Sequence, residues 1–303
     1  MQAHLCHPQS SFRFSFSCFA NIFVESVEQL FDGCHSCDKS RCNSTGNSSS
    51  NSFFMPSVTS EDLSKIVSKM NVNKSSGFDD LRPREVKLIA NANPIILVKI
   101  LNNLLTAGFT GTLKTSICRP IFKKGDPLGF NNCRPICIQS TIGKLLEKYF
   151  AGKLVDYCTK YKIINENQFA YQPGKSAESL LTKFGNYVNN ELNEGNVVGC
   201  IFVDFSRAFD TINHNILSER LNAIGVRGDA FSFIKKYLSD RSLVVKYGEA
   251  VSNLKPVGRG VPQGSTLGPL LYTLYVNDLF YWVKNCKMFI YANDIVHRSF
   301  FPR

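Results

Sequence analysis

Three stretches of the chain carry residue types whose chemistry goes beyond what packing requires. In the first, Val197-Val198-Gly199-Cys200-Ile201-Phe202-Val203-Asp204 is an apolar run of strand length that ends in a carboxylate. Phe205-Ser206-Arg207-Ala208-Phe209-Asp210 follows, and then helical spacing through Leu217, Leu221 and Ile224. A strand that delivers an Asp at its end sets a ligand for a hard cation on a rigid support. An Asp before a helix is as often an N-cap, so this stretch alone decides little. In the second, Gly258-Arg259-Gly260-Val261-Pro262-Gln263-Gly264-Ser265-Thr266-Leu267-Gly268-Pro269 leads into the apolar face Leu270, Leu271, Leu274, Tyr275, Leu279. Its glycines permit close backbone approach to a flat ligand, and the helix mouth offers N–H groups to an anion. The third, Lys287-Met288-Phe289-Ile290-Tyr291-Ala292-Asn293-Asp294-Ile295-Val296-His297, reads as a β-hairpin with a polar pair at its tip.

These groups need a framework, and composition bounds it. The chain has 303 residues, 44% of them hydrophobic and 19% charged, enough for one large domain or two ordinary ones. Lys and Arg number 35 against 24 Asp and Glu, a formal charge of +11 that favours a polyanionic partner such as nucleic acid. Residues 111–183 hold much of that excess. Pro120, Gly125, Pro127, Pro135, Pro173 and Gly174 break this segment into loops that bring out Lys123, Lys124, Arg134 and Lys175, where they can grip phosphates. No run reaches the roughly 18 uninterrupted apolar residues of a membrane span, so an intracellular protein with no membrane partner is expected. Eleven cysteines, several in apolar strand contexts, argue against a disulfide framework.

Residues 1–55 are set apart by the polar run Ser40 to Ser52, which buries too little apolar surface to order itself. Cys34, His35, Cys37 and Cys42 do not complete a zinc pattern. From residue 56 the punctuation is that of a folded domain running to 303. Thr59 or Ser60 caps a helix through Leu63, Ile66, Val67 and Met70, and two further helices divide near Pro94.

Strand-Asp-helix, Gln-Gly turn-helix and strand-Asp-strand, in that order, resemble the A, B and C motifs of the reverse-transcriptase palm. The resemblance extends to Asn73-Lys74-Ser75-Ser76-Gly77-Phe78-Asp79, Ile121-Phe122-Lys123-Lys124-Gly125-Asp126-Pro127, Cys133-Arg134-Pro135-Ile136, Ser140 to Lys148 and Glu166-Asn167-Gln168-Phe169. Together these are similar to the polymerase of non-LTR (LINE-type, jockey-like) retrotransposons over about residues 56–298. The resemblance implies an α+β fold of right-hand polymerase fingers and partial palm, an antiparallel sheet packed on helices. It implies extension of a DNA primer on an RNA template from deoxynucleoside triphosphates, with two Mg2+ ions. Asp204 and Asp294 would ligate metal with the Phe205 carbonyl, Phe209 would exclude a 2′-hydroxyl, Gln263 and Gly264 would lie against the nucleotide, and Lys124 and Arg134 would hold its triphosphate. Asp210 would organise the turn and helix that follow it.

Three departures qualify the resemblance. Asn293 stands where the family's Tyr-Ala-Asp-Asp hairpin has its first Asp. An amide can coordinate a metal but brings no charge, and a loss of several kcal/mol of transition-state stabilisation is a fall of roughly two to four orders of magnitude in rate. Phe169-Ala170-Tyr171-Gln172 replaces the usual Phe-Gly-Phe-Arg and removes a cation. No thumb is expected to follow before Arg303, which would leave sheet edges exposed. The expectation is therefore a polymerase with impaired catalysis. The alternative is a non-catalytic nucleic-acid-binding remnant of a mobile element.

Overall fold

The computed structural model describes residues 49–122, 124, 133–205, 208–247, 249–282 and 287–301. They form two compact units, one of residues 49–164 and 206–276, the other of residues 165–205 and 277 onward. Both combine helices with a sheet, so the α+β reading holds. Of the expected N-terminal segment, residues 1–48 and with them Cys34, His35, Cys37 and Cys42 lie outside the described residues. Residues 49–55, assigned by sequence to that segment, are instead packed into the first unit. Phe53 is buried there and bridges to Val226, and Ser49 N–H donates to the Ala223 carbonyl.

In the first unit, local chemistry sets the helix starts. Helix α1, Ser60–Ser68, takes Thr59 as its N-cap, and the Thr59 hydroxyl and the Asp62 carboxylate close a reciprocal capping box. Helices α2, Pro83–Ala92, and α3, Pro94–Ala107, each begin on a proline, whose missing N–H would have had no partner in the first turn anyway. Strands β1, Thr115–Phe122, and β2, Cys133–Ile138, pair antiparallel. Helix α4, Thr141–Lys160, is capped by the Ser140 hydroxyl. Beyond the second unit's insertion come α6, His214–Ala223, α7, Gly228–Leu238, and strands β4, Arg241–Tyr247, β5, Ala250–Val251, and β6, Lys255–Val257, before α8, Gly268–Val276.

The sheet runs β2-β1-β4-β5 with β6 also on β4. The β1–β4 pair is parallel, which corrects the expectation of a wholly antiparallel sheet. A parallel pair needs a long crossover rather than a tight turn, and the chain between β1 and β4 supplies one. The core is aromatic: Phe150 stacks on Phe233 with ring centroids 4.7 Å apart, and Phe109 and Tyr237 pack beside Phe233.

The second unit holds helix α5, Ala177–Asn193, strand β3, Val197–Asp204, the short helix α9, Leu279–Trp282, and strands β7, Lys287–Tyr291, and β8, Asp294–Phe301. Its sheet is antiparallel in the order β3-β8-β7. Both faces of β7 are covered, which explains its unbroken apolar run. Phe289 packs with Phe169, Leu180, Phe184 and Tyr187, while Met288 and Ile290 join Ile295, Val203, Phe205, Leu279 and Phe280. The outer edge of β7 is also occupied. Ile290 N–H donates to the Asn167 carbonyl and Phe169 N–H to the Ile290 carbonyl, so this edge is paired.

Candidate active site

Asp204 closes β3 and Asp294 opens β8, and the two are direct partners in the antiparallel register. Asp294 is therefore the first strand residue, and the hairpin loop is Ala292-Asn293 alone. Phe205 N–H donates to the Asn293 carbonyl at 3.2 Å, which makes 205 and 293 the hydrogen-bonded pair and leaves 204 and 294 as a non-bonded one. In such a pair the side chains leave the same face with Cβ atoms about 4.5 Å apart. Two like charges are thus held side by side. Burial and the neighbouring Asp204 charge together raise the pKa of Asp294 above its ordinary value.

The loop that presents this pair is strained. Ala292 has φ of 54°, a conformation favoured at the first position of a tight hairpin but costly for a residue with a Cβ. Asn293 then directs its amide at the pair, Nδ2 donating to Asp204 Oδ1 at 2.5 Å. This contact gives Asn293 a function that sequence reasoning did not assign. It is a neutral donor that steadies the Asp204 carboxylate at the position where the family's hairpin pattern carries an acid. Among the described residues no three His, Cys, Asp or Glu side chains converge on a metal-sized site. The donors present are two carboxylates, the Phe205 carbonyl and the amide oxygen of Asn293. That set suits a hard cation whose remaining ligands come from phosphate and water.

The Gly-rich turn of the first unit has its own architecture. Gly260 N–H donates to the Ile212 carbonyl and Val261 N–H to the Phe209 carbonyl, tying the turn to residues 209–212. At φ of +76°, a Cβ on Gly260 would sit 2.7 Å from Asp210 Cα, so only glycine fits the approach. Gln263 donates its side-chain amide to Asp210 Oδ2 at 2.7 Å, while its carbonyl accepts from Cys137 N–H at 2.9 Å. The role expected for Asp210 is thereby corrected: it anchors Gln263, and the helix that follows is capped by Asn213. The shift has a simple cause, since Asn213 directly precedes the first helical residue whereas Asp210 lies in a separate turn. Phe209 packs on Tyr272 with centroids 4.7 Å apart and the rings tilted by 32°.

Beneath this turn lies a group that the sequence did not single out. Glu147 on α4 is buried, and its Oε2 accepts from Thr266 N–H at 2.7 Å and Leu267 N–H at 3.3 Å, while Oε1 accepts from the Tyr237 hydroxyl at 3.1 Å. Burial pushes its pKa up, and the two amides and nearby Arg241 oppose that shift. Gln139 bridges the two charges when its amide nitrogen faces Glu147 (3.0 Å) and its oxygen faces Arg241 (3.1 Å). The available signal was Glu147 falling in helical phase with Gly143, Phe150 and Leu154, on the buried stripe rather than the solvent face.

The structure thus brings Asp204, Phe205, Asn293 and Asp294 together in one unit, and Phe209, Asp210, Gln263 and Gly264 together in the other. Lys124 is exposed. Arg134 lies in β2, its main chain opposite Ile121, and its side chain is outside the described residues.

A family model described as reverse transcriptase (RNA-dependent DNA polymerase) matches residues 121–299. The chain is 27% identical over 221 residues to a "Probable RNA-directed DNA polymerase from transposon BS" of Drosophila melanogaster, an alignment covering 72% of this chain and 24% of that protein. It is 29% identical over 224 residues to the "RNA-directed DNA polymerase from mobile element jockey" of Drosophila funebris, covering 73% of this chain and 24% of that protein. Against the jockey polymerase of Drosophila melanogaster it is 25% identical over 264 residues, 85% of this chain and 29% of the relative. The chain spans about a quarter of the length of these curated relatives.

Proposed function

The chain belongs to the reverse transcriptase (RNA-dependent DNA polymerase) family, whose model covers more than half of it, and on that premise we propose that Asp204 and Asp294 form the metal-holding centre of a non-LTR retrotransposon polymerase. The reaction is extension of a DNA primer on an RNA template. The primer 3′-hydroxyl attacks the α-phosphorus of a deoxynucleoside triphosphate, the new ester bond forms, and pyrophosphate leaves. The single observation that carries this reading is the register partnership of Asp204 and Asp294. It opposes two carboxylates at one exposed sheet end, where their mutual repulsion favours binding of a cation.

Asp204, Asp294 and the Phe205 carbonyl would hold magnesium. Bound there, magnesium neutralises charge on the transferred phosphoryl group and lowers the pKa of the attacking hydroxyl. Asn293 works against that binding, because its amide occupies a lone pair of Asp204 that a cation would take and adds no charge of its own. Catalysis is accordingly weak in this chain. The three-stranded sheet is read as palm and the β1–β2 pair as fingers. In the first unit, Gln263 and Gly264 are assigned to the nucleotide, Phe209 to exclusion of a 2′-hydroxyl, and Lys124 and Arg134 to the triphosphate. RNA template, DNA primer and an intracellular site of action follow from the same reading.

The test is primer extension of oligo(dT) on poly(rA) with magnesium or manganese. Extension should be faint for the natural chain, rise with Asn293→Asp and vanish when Asp204→Ala is added. Extension that survives Asp204→Ala, or fails to rise with Asn293→Asp, overturns the assignment.

A further inference from the structure

Cys118 on β1 and Cys137 on β2 are direct partners in the antiparallel register and both are free thiols, Cys118 buried and Cys137 half-buried. The main chain of Cys137 faces away from β1: its N–H donates to the Gln263 carbonyl, and its carbonyl oxygen would lie 2.9 Å from a Cβ on Gly264. The 118–137 pair is therefore a non-hydrogen-bonded one, in which Cα atoms stand about 4.5 Å apart and side chains leave the same face. That spacing lies within the roughly 4.4–6.8 Å that a disulfide bridges without backbone movement. The neighbouring cysteine is differently placed, since Cys133 is opposite Phe122 at the far end of the pair.

We propose that Cys118 and Cys137 are a redox-active dithiol that closes to a cross-strand disulfide on reaction with a low-molecular-weight disulfide such as oxidised glutathione. The site is independent of the polymerase reading and needs no metal.

The two thiols already interact. A hydrogen bond between them lowers the pKa of Cys118 to about 7 and raises that of Cys137, so the pair loses its first proton readily and its second with difficulty. Asp210 lies close enough to oppose both ionisations. Cys118 is the thiol that ionises first, and the half-buried Cys137 is the sulfur that an external reagent reaches, so in the proposed step Cys137 passes its proton along the hydrogen bond to the Cys118 thiolate as it attacks. Its thiolate attacks one sulfur of the small disulfide, the old S–S bond breaks, and the first small thiolate leaves and takes up a proton. Cys118, giving up its own proton, then attacks the Cys137 sulfur of the mixed disulfide and expels the second small thiol. Two protein thiols are oxidised and one small disulfide is reduced to two thiols. The bond would tie β2 to β1 directly beside the Gln263-Gly264 backbone.

The folded 303-residue chain is treated with oxidised glutathione, blocked with an alkylating agent, digested without reduction and analysed by mass spectrometry. The expected product links the tryptic peptide 115–123 to 125–144 at a mass two hydrogens below the sum of the free peptides plus one alkyl group on Cys133. The link should persist in Cys133→Ser, disappear in Cys137→Ser, and be reversed by a thiol reductant. Recovery of Cys118 in alkylated form from the natural chain, accumulation of unresolved glutathione adducts on it, or a link that is lost in a Cys133→Ser chain whose circular dichroism matches the natural one would overturn the proposal. Because the decisive readout is made on the natural chain, a variant that folds poorly does not decide it.

Discussion

Replacing Asn293 by Asp trades the amide donor for a third negative charge, and the structure sets the size of the effect. In the absence of metal the variant loses the hydrogen bond from Asn293 to Asp204, about 1 kcal/mol at so exposed a site. It gains repulsion from Asp204 and Asp294. At about 4 Å each contact costs about 1 kcal/mol in a water-like dielectric, and screening trims the total to about 2 kcal/mol. For a domain of this size that is a fall in Tm of about 4–8 °C. With a divalent cation the sign reverses. The added carboxylate attracts a doubly charged ion by about 2 kcal/mol on the same scale, and relief of the repulsion adds up to about 2 more, so affinity rises roughly 30- to 700-fold. The assay pairs thermal melts in chelator and in manganese with a manganese titration followed by electron paramagnetic resonance. A variant as stable as the natural chain in chelator, with unchanged manganese affinity, would refute the idea that Asn293 lies in the cation site.

The raised pKa of Asp294 means that the folded chain holds that proton more tightly than the unfolded one. Its contribution to stability is complete below the ordinary 3.8 and is lost as pH rises through the folded value. Asp294→Asn should therefore be more stable than the natural chain at neutral pH in chelator, and urea melts should show the gap closing in acid. Glu147→Ala strands the Thr266 and Leu267 amides, the Tyr237 hydroxyl and buried Arg241. A loss of about 3–5 kcal/mol is expected, measured by urea unfolding, with a smaller loss for Glu147→Gln. Gly264→Ala forces a Cβ to φ of +94° and 2.9 Å from the Cys137 carbonyl oxygen, and should cost about 2–3 kcal/mol in the same assay. Ala292→Gly relieves the strain of φ at 54° and should raise Tm, the net gain being about 0.5 kcal/mol after glycine's entropy cost.

What could be read in the chain before folding was whatever short-range chemistry determines. Thr59 with Asp62 marks a capping box, Pro83 and Pro94 mark helix starts, and the apolar runs before Asp204 and around Asn293 mark strands whose ends must meet if they pair in register. The rest depends on partners distant in sequence. The parallel β1–β4 pair leaves no local signature, because neither strand's side-chain pattern records the direction of its neighbour. Asp210 looked like a helix organiser because its partner Gln263 lies in a turn that only the glycine at 260 brings against it.

Glu147 and Asn293 mark opposite limits of such reading. A glutamate in a helix is ordinarily a surface residue, so its burial could be suspected only from its phase with Phe150 and Leu154, and its partners not at all. Two backbone amides, the Tyr237 hydroxyl and the Gln139 amide converge on one carboxylate there, and that convergence makes the buried charge tolerable. Asn293 was visible as an oddity of type, but what the residue does depends on which way its amide faces. With Nδ2 toward Asp204 it is a neutral hydrogen-bond donor to one of two carboxylates that the register sets side by side, where an acid would add a third like charge. The hydrogen bond that competes with a cation for Asp204 in the proposed site thus also steadies the metal-free sheet end.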